Sequence, residues 1–279
     1  MRQIALFLAL IFWAPAAGAA RTGQDVSYPQ CGQSVKAFPF NVVGINGGRA
    51  STANPCFALE YAQARSPQLY VNSGNPGSVL AVARNHGTWP TRGSDIDGVT
   101  IAVPATYGNC HGDDSAACAY VYGYRMAERD IADAVAGGVV APEHMRWWID
   151  VETFNSWETD TPAGQSRDVA DLEGMVAALS AAHPPLTSAV PLVTTDYGGA
   201  PLSSIGLYST DLQWSQITGG QVSSSSPLAG LDQWQAGATT ASGASAACNN
   251  SSFAGTSGTV WMTQFTDGLA DGDVACRAF

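Results

Sequence analysis

Short β-branched runs alternating with longer stretches of helical spacing constrain this chain most, because that alternation is the pattern of a parallel-sheet α/β protein. Residues 40–46 (FNVVGIN), 68–72 (QLYVN), 119–124 (AYVYGY), 146–152 (RWWIDVE) and 205–209 (IGLYS) read as strands. Residues 231–235 and 259–265 read as two more. Residues 55–65 (capped by Asn54), 78–85, 127–136 and 165–182 read as helices. In the last of these, Val169, Leu172, Val176 and Leu179 recur at the three-to-four spacing of a helix face. Residues 87–117 and 184–203 read as loops; past residue 209 the helical signal fades, and 236–258 is almost all small and polar. No internal repeat or domain boundary is visible, so one domain over residues 21–279 is expected.

The first residues bear on the compartment. Arg2 precedes an apolar run from Ile4 to Trp13, too short to span a bilayer, and Ala17, Gly18, Ala19 and Ala20 suit signal-peptidase cleavage. Residues 1–20 are therefore expected to be a signal peptide, leaving a secreted chain with no membrane association after cleavage. Six cysteines follow, Cys31, Cys56, Cys110, Cys118, Cys248 and Cys276, and an even number in an exported chain argues for three disulfides. Sequence leaves several connectivities open; pairing of neighbours, 31 with 56, 110 with 118 and 248 with 276, is the expectation. No C-x-x-C or H-E-x-x-H spacing suggests zinc. With a net charge of −11 and no basic stripe, nucleic acid is excluded as a partner.

The chemistry is concentrated in residues 146–152. Successive side chains of a strand alternate between faces. Trp147, Ile149 and Val151 therefore share an apolar face, while Arg146, Trp148, Asp150 and Glu152 share the other, which turns acidic at the strand's C-terminal end. Barrels of alternating strands and helices place their active sites at that end. Two residue steps put the Asp150 and Glu152 backbones about 6–7 Å apart on one face. Two nearby carboxylates do not ionise independently, so one tends to keep a proton at neutral pH. A kept proton makes a general acid, which a glycosidic leaving oxygen requires. The competing reading is a solvated pair that caps the strand before an ordinary loop at Thr153 and Asn155.

Trp148-Ile-Asp150-Val-Glu152 resembles the D-x-E strand of family-25 glycoside hydrolases, the lysozyme-type muramidases that cut peptidoglycan. Val121-Tyr-Gly-Tyr124, Gly206-Leu-Tyr208-Ser209, Gln233-Trp234-Gln-Ala236 and Gln264-Phe265 with Asp273 fall in the same order as that family's tyrosine- and tryptophan-bearing strands and closing loop. The chain is also similar to secreted bacterial glycoside-hydrolase-like domains of unknown function, through Tyr28-Pro29-x-Cys31, Asn46-Gly-Gly48, Tyr70-Val-Asn72, Asn75-Pro-Gly77, the 147–152 strand and the cysteine layout. The resemblance implies a TIM-like (β/α) barrel, which the weak helical pattern of the last third suggests has fewer than eight helices. It implies Glu152 as general acid/base, with Asp150 orienting a substrate acetamido group or setting the proton affinity of Glu152. Asp273 would be a second acid across the site, and Tyr124 and Tyr208 would line the barrel interior. The muramidases end their first strand with Asp, whereas 43–46 (VGIN) ends in Asn46, which cannot carry negative charge.

Other constellations carry less. Trp148, Trp157, Trp214, Trp261, Tyr122 and Tyr124 are candidates for stacking on sugars, and Trp148 is favoured by sharing the acidic face. Asp95-x-Asp97-Gly98 and the acids at 267, 271 and 273 lack the calcium-loop spacing, and His86, His111, His144 and His183 lack ligand spacing. No nucleophile elbow, phosphate loop or dinucleotide fingerprint occurs, so no cofactor and no metal is expected. The leading expectation is a cell-wall-directed glycosidase acting on peptidoglycan or another N-acetyl-hexosamine polymer. The alternative, motivated by Asn46, is a barrel that binds polysaccharide without cleaving it; a structural exported protein is the third.

Overall fold

The computed structural model describes residues 21–50, 52–76, 89–181, 205–220, 222–253, 258–266 and 271–277. Eight strands close a barrel in sequence order. They are β1 (Arg21–Val26), β2 (Asn41–Gly44), β3 (Pro67–Asn72), β4 (Trp147–Asp150), β5 (Ile205–Ser209), β6 (Asp232–Ala238), β7 (Val260–Thr266) and β8 (Asp271–Ala275). Neighbours from β1 to β7 pair in parallel, and β8 runs antiparallel to both β7 and β1. The barrel is thus α/β and TIM-like but mixed at its seam. Only residues 267–270 join β7 to β8, and a parallel return needs a crossover of about a dozen residues or more.

Among the described residues there are five α-helices: α1 (Phe57–Gln63), α2 (Ala116–Ala136), α3 (Pro162–Ser180), α4 (Asp211–Thr218) and α5 (Ala241–Ala247). The strand expected at 119–124 is wrong: those residues are the second turn onward of α2. Ser115 caps that helix by accepting from the Cys118 N–H at 3.3 Å, and tertiary packing overrides the strand preference of its Tyr and Val residues. The last third also holds more helix than its composition suggested. Thr210 and Thr240 cap α4 and α5, and Gly219 (φ 78°) ends α4 in the left-handed region. Neither β1 nor β8 was anticipated. The signal peptide at 1–20, the helix at 78–85 and the loop at 184–203 lie outside the described residues.

Each strand separates two cores. On the outer face Val26, Val43, Ile45, Leu69, Val71, Trp147, Ile149 and Val151 pack with Ala127, Leu172, Met175 and Ile217 of the helices. Inside the barrel, Phe40, Val42, Trp148, Tyr208, Trp234, Met262 and Ala275 fill the lumen. The three disulfides join the neighbours expected, Cys31–Cys56, Cys110–Cys118 and Cys248–Cys276. The first ties the segment after β1 to the start of α1, the second staples the start of α2, and the third ties the end of α5 to the residue after β8. Among the described residues no helix is long and apolar enough to cross a membrane.

Candidate active site

The alternation read along 146–152 is the one the barrel uses. Trp147, Ile149 and Val151 pack under helices, and Trp148 lies in the lumen. Asp150 follows Trp148 at the C-terminal edge of β4, level with Asn72 of β3 and Tyr208 of β5. Its Oδ2 accepts from Asn72 Nδ2 at 2.5 Å, and its carbonyl accepts from Ser73 N at 3.0 Å and Ser73 Oγ at 2.5 Å. Asp150 is thereby clamped and only 4% exposed. Glu152 stands one step higher and is half-buried. Gln213 of α4 donates from Nε2 to its Oε1 at 3.4 Å, and its carbonyl accepts from Trp157 Nε1 at 2.9 Å.

The facing wall comes from the barrel seam. Val26 packs outward, so Asp25 of β1 points inward, where its Oδ2 accepts from Gln264 Nε2 at 3.1 Å. Gln264 Oε1 in turn accepts from the Tyr208 hydroxyl at 2.8 Å, so one amide links β1, β7 and β5. Asp271 and Asp273 alternate with Gly272 on β8, Asp273 standing beside Gln264 on one side and Gly23 on the other. Asp273 is fully buried, whereas Asp25, Glu152 and Asp271 are half-buried. The mouth therefore has two tiers, with Asp150 and Asp273 below and Asp25, Glu152 and Asp271 above.

These acids feel one another. Burial, then the nearby Asp271 carboxylate, raises Asp25 to about 7, although the Gln264 amide pulls the other way. Asp150 is held well above the carboxylate range by burial first and by Glu152 second. Glu152 is raised by burial and by Asp271, against the Gln213 hydrogen bond. Asp273 is raised well above its ordinary value by burial and by Asp25, opposed by the Trp234 indole. The Tyr208 hydroxyl is pushed up by burial and then by Glu152, Asp150 and Asp25. Burial and mutual repulsion thus favour the protonated forms of Asp150 and Asp273 at neutral pH, with Asp25 near the middle of its titration. Among the described residues no group of His, Cys, Asp or Glu is arranged to hold a metal ion.

Several expected site residues lie elsewhere. Asn46 is 1% exposed, donates to Asp130 Oδ1 of α2 at 2.8 Å and accepts from Asn72 N at 2.6 Å. It closes the second strand, not the first; the first strand is β1, and it carries Asp25. Tyr124 sits on α2, between that helix and the outer core, so it does not line the lumen. Trp148 is fully buried and donates Nε1 to Gln68 Oε1 at 2.7 Å, which leaves no ring face open to a sugar. Trp214 is also fully buried, and Trp261 lies under the Arg146 guanidinium, 3.9 Å from its centroid. Asp25 was missed because RTGQDV is poor in strand formers, and Gln213 because α4 was not read as a helix. The only local signal for Asp25 was its place one residue before Val26 and a turn at Ser27-Tyr28-Pro29.

Fold and site together define a closed mixed α/β barrel with an acid-lined mouth at the C-terminal ends of its parallel strands. No protein-family model and no curated protein matches the chain. Among solved structures, it is similar to the bacterial lysozyme from Streptomyces coelicolor, with 12% identity, a TM-score of 0.48 and 92% of each chain covered. It is similar also to the modular autolysin LytC from Streptococcus pneumoniae in complex with a synthetic peptidoglycan ligand, with 10% identity and a TM-score of 0.49. For the modular Cpl-1 endolysin complexed with a peptidoglycan analogue the values are 12% and 0.42. In both of these, 92% of this chain is covered, but it spans only 46% and 54% of the other. The barrel stands on its own strand pairing, and these likenesses do not extend to chemistry.

Proposed function

We propose that the protein is an exported glycosidase that cleaves an N-acetyl-hexosamine polymer of the cell-wall type, with Glu152 as general acid. The observation that carries this is Glu152 itself: half-buried, proton affinity raised by burial and by Asp271, at the C-terminal end of the parallel strands. Its proton would pass to the glycosidic oxygen as the bond to the anomeric carbon breaks. Asp25 and Asp271, on the facing wall, would stabilise the positive charge that develops on the sugar ring. Asp150 and Asp273 are too buried to meet substrate, so they act as positioning residues. Asp150, held by Asn72 and Ser73, keeps its proton and fixes the strand end from which Glu152 projects. Three formed disulfides favour an oxidising, extracytoplasmic setting. The case for a barrel that only binds polysaccharide rested on Asn46, and that case weakens because the first strand bears Asp25.

The test is release of reducing ends from purified peptidoglycan and from chitin oligomers, comparing wild type with Glu152→Gln. Loss of the acid is expected to slow cleavage by about 10²–10⁴-fold while leaving binding near wild type. Cleavage unchanged in Glu152→Gln removes Glu152 from the role. Binding without turnover in both proteins establishes the non-catalytic alternative.

A further inference from the structure

An acid stands on an apolar face of α2. Ala127 and Ala134 of that helix pack in the outer core, and Asp130 lies between them on the same stripe, 2% exposed. Among the described residues its side chain makes one hydrogen bond, Oδ1 accepting from Asn46 Nδ2 at 2.8 Å, and its Oδ2 has no partner. An acid is seldom buried so completely with so little to satisfy it. Stability alone gives little reason for the pair, since replacing both members of a buried hydrogen bond by apolar groups of the same shape is nearly neutral. The reason lies in what Asp130 holds.

Asn46 uses both ends of its amide. Its Nδ2 donates to Asp130 and, at 3.2 Å, to the Thr52 carbonyl, while its Oδ1 accepts from Asn72 N at 2.6 Å. A backbone N–H can only donate, so Asn72 fixes the amide this way round. Asn72, the last residue of β3, then donates from Nδ2 to Asp150 Oδ2 at 2.5 Å. Polar groups of α2, the end of β2, β3 and β4 thus form one chain from the helix layer to the site, and all four residues are buried. A carboxylate at position 46 would lack the N–H that Asp130 accepts, so the chain requires an amide there.

We propose that Asp130, under α2 and away from the mouth, is a positioning residue for the acids of the site: through Asn46 and Asn72 it sets the place of Asp150 and of the strand end that carries Glu152. Without the Asp130 acceptor, Asn46 Nδ2 keeps only its longer bond to Thr52, and the amide is free to turn. Asn72 N then loses its acceptor, and the Asn72 side chain reaches Asp150 from a backbone no longer held. That this serves cleavage rests on the function proposed above; that it fixes Asp150 does not.

The experiment has two readouts: NMR signals of the Asn72 side-chain amide and the Asp150 carboxyl in isotope-labelled protein, and kcat and KM on purified peptidoglycan. Asp130→Ala removes the acceptor, whereas Asp130→Asn has the shape of the protonated acid and keeps it. Asp130→Ala is expected to move both signals and to lower kcat about tenfold with KM unchanged, because no member of the chain meets substrate. Asp130→Asn is expected to restore the signals and the rate. Asn46→Ala cuts the same chain from the loop side; it should act as Asp130→Ala does and replaces it if that variant does not fold. In an Asn72→Ala background, Asp130→Ala should cost no further kcat. Unmoved signals, Asp130→Asn as damaging as Asp130→Ala, or rate losses that add in the double variant overturn the assignment. Moved signals in a protein that cleaves nothing support the chain and count only against Glu152.

Discussion

Asp25 reaches the centre of the mouth through Gln264, whose amide also holds the Tyr208 hydroxyl. Its ionisation near pH 7 therefore changes the field on its neighbours in the range where an enzyme works. A charged Asp25 strengthens proton binding at Asp150 and Asp273. Asp25→Asn removes that charge but can keep the bond to Gln264, so the remaining acids should release their protons at lower pH. The limb of the kcat/KM profile near pH 7 is expected to move or vanish, because Asn has no proton to release there. A limb that does not move takes Asp25 out of the network. The pair on β4 was legible because strand parity needs only local information. Asp25 was not, because β1 contains Gly, Gln and Asp and is a strand only when β2 and β8 close on either side of it. Residue type alone could not separate Asp150 from Glu152 either. Their difference in exposure comes from Asn72 and Ser73 on the neighbouring strand end.

Inside the barrel, space is matched between one large ring and one missing side chain. Gly206 of β5 faces the Trp148 ring so closely that a Cβ there would overlap it, and Gly44 of β2 stands in the same relation to Tyr70. Gly206→Ala is expected to cost about 1–3 kcal/mol, the usual penalty of overfilling a packed core, measured as a lower urea midpoint. Because Trp148 precedes Asp150 by one inward step, the same substitution should also lower turnover. A wild-type urea midpoint would show that the lumen can relax around the ring. Glycine also explains why the first half of α2 escaped a sequence reading. Gly123 lies against the Asp171 carbonyl of α3, and Gly174 of α3 against the Tyr120 carbonyl, so the two backbones touch. The strand-forming residues Tyr120, Val121 and Tyr122 become helical because that crossing buries them. Where helix spacing stood alone, as in α3, the sequence was sufficient; where a partner supplied the reason for the element, as in β1, β8, α4 and the first half of α2, it was not.

The acids are distributed unevenly over the molecule as a whole. Of a chain with net charge −11, several carboxyls are buried away from the mouth, under the helices. Asp130 of α2 accepts from Asn46, and burial lifts it to about 8. Asp168 of α3 accepts from Glu158 N at 3.1 Å and from the Asn75 amide, and burial lifts it to about 8 as well. In the unfolded chain an aspartate releases its proton near pH 3.9. Between about pH 4 and pH 8 the folded chain therefore holds protons that the unfolded chain does not, and stability falls as pH rises. Their contribution is whole below about pH 4 and lost once pH passes about 8. Each pH unit over which only the folded chain holds one such proton costs about 1.4 kcal/mol. Urea unfolding is thus expected to give a lower midpoint at pH 8 than at pH 5. Asp130→Asn keeps an acceptor for Asn46 and has no proton to lose, so it should flatten this dependence and raise the pH 8 midpoint towards the pH 5 value. A wild-type midpoint that rises between pH 5 and 8 would show that these carboxyls are charged in the folded state, with water or a counter-charge replacing the missing proton.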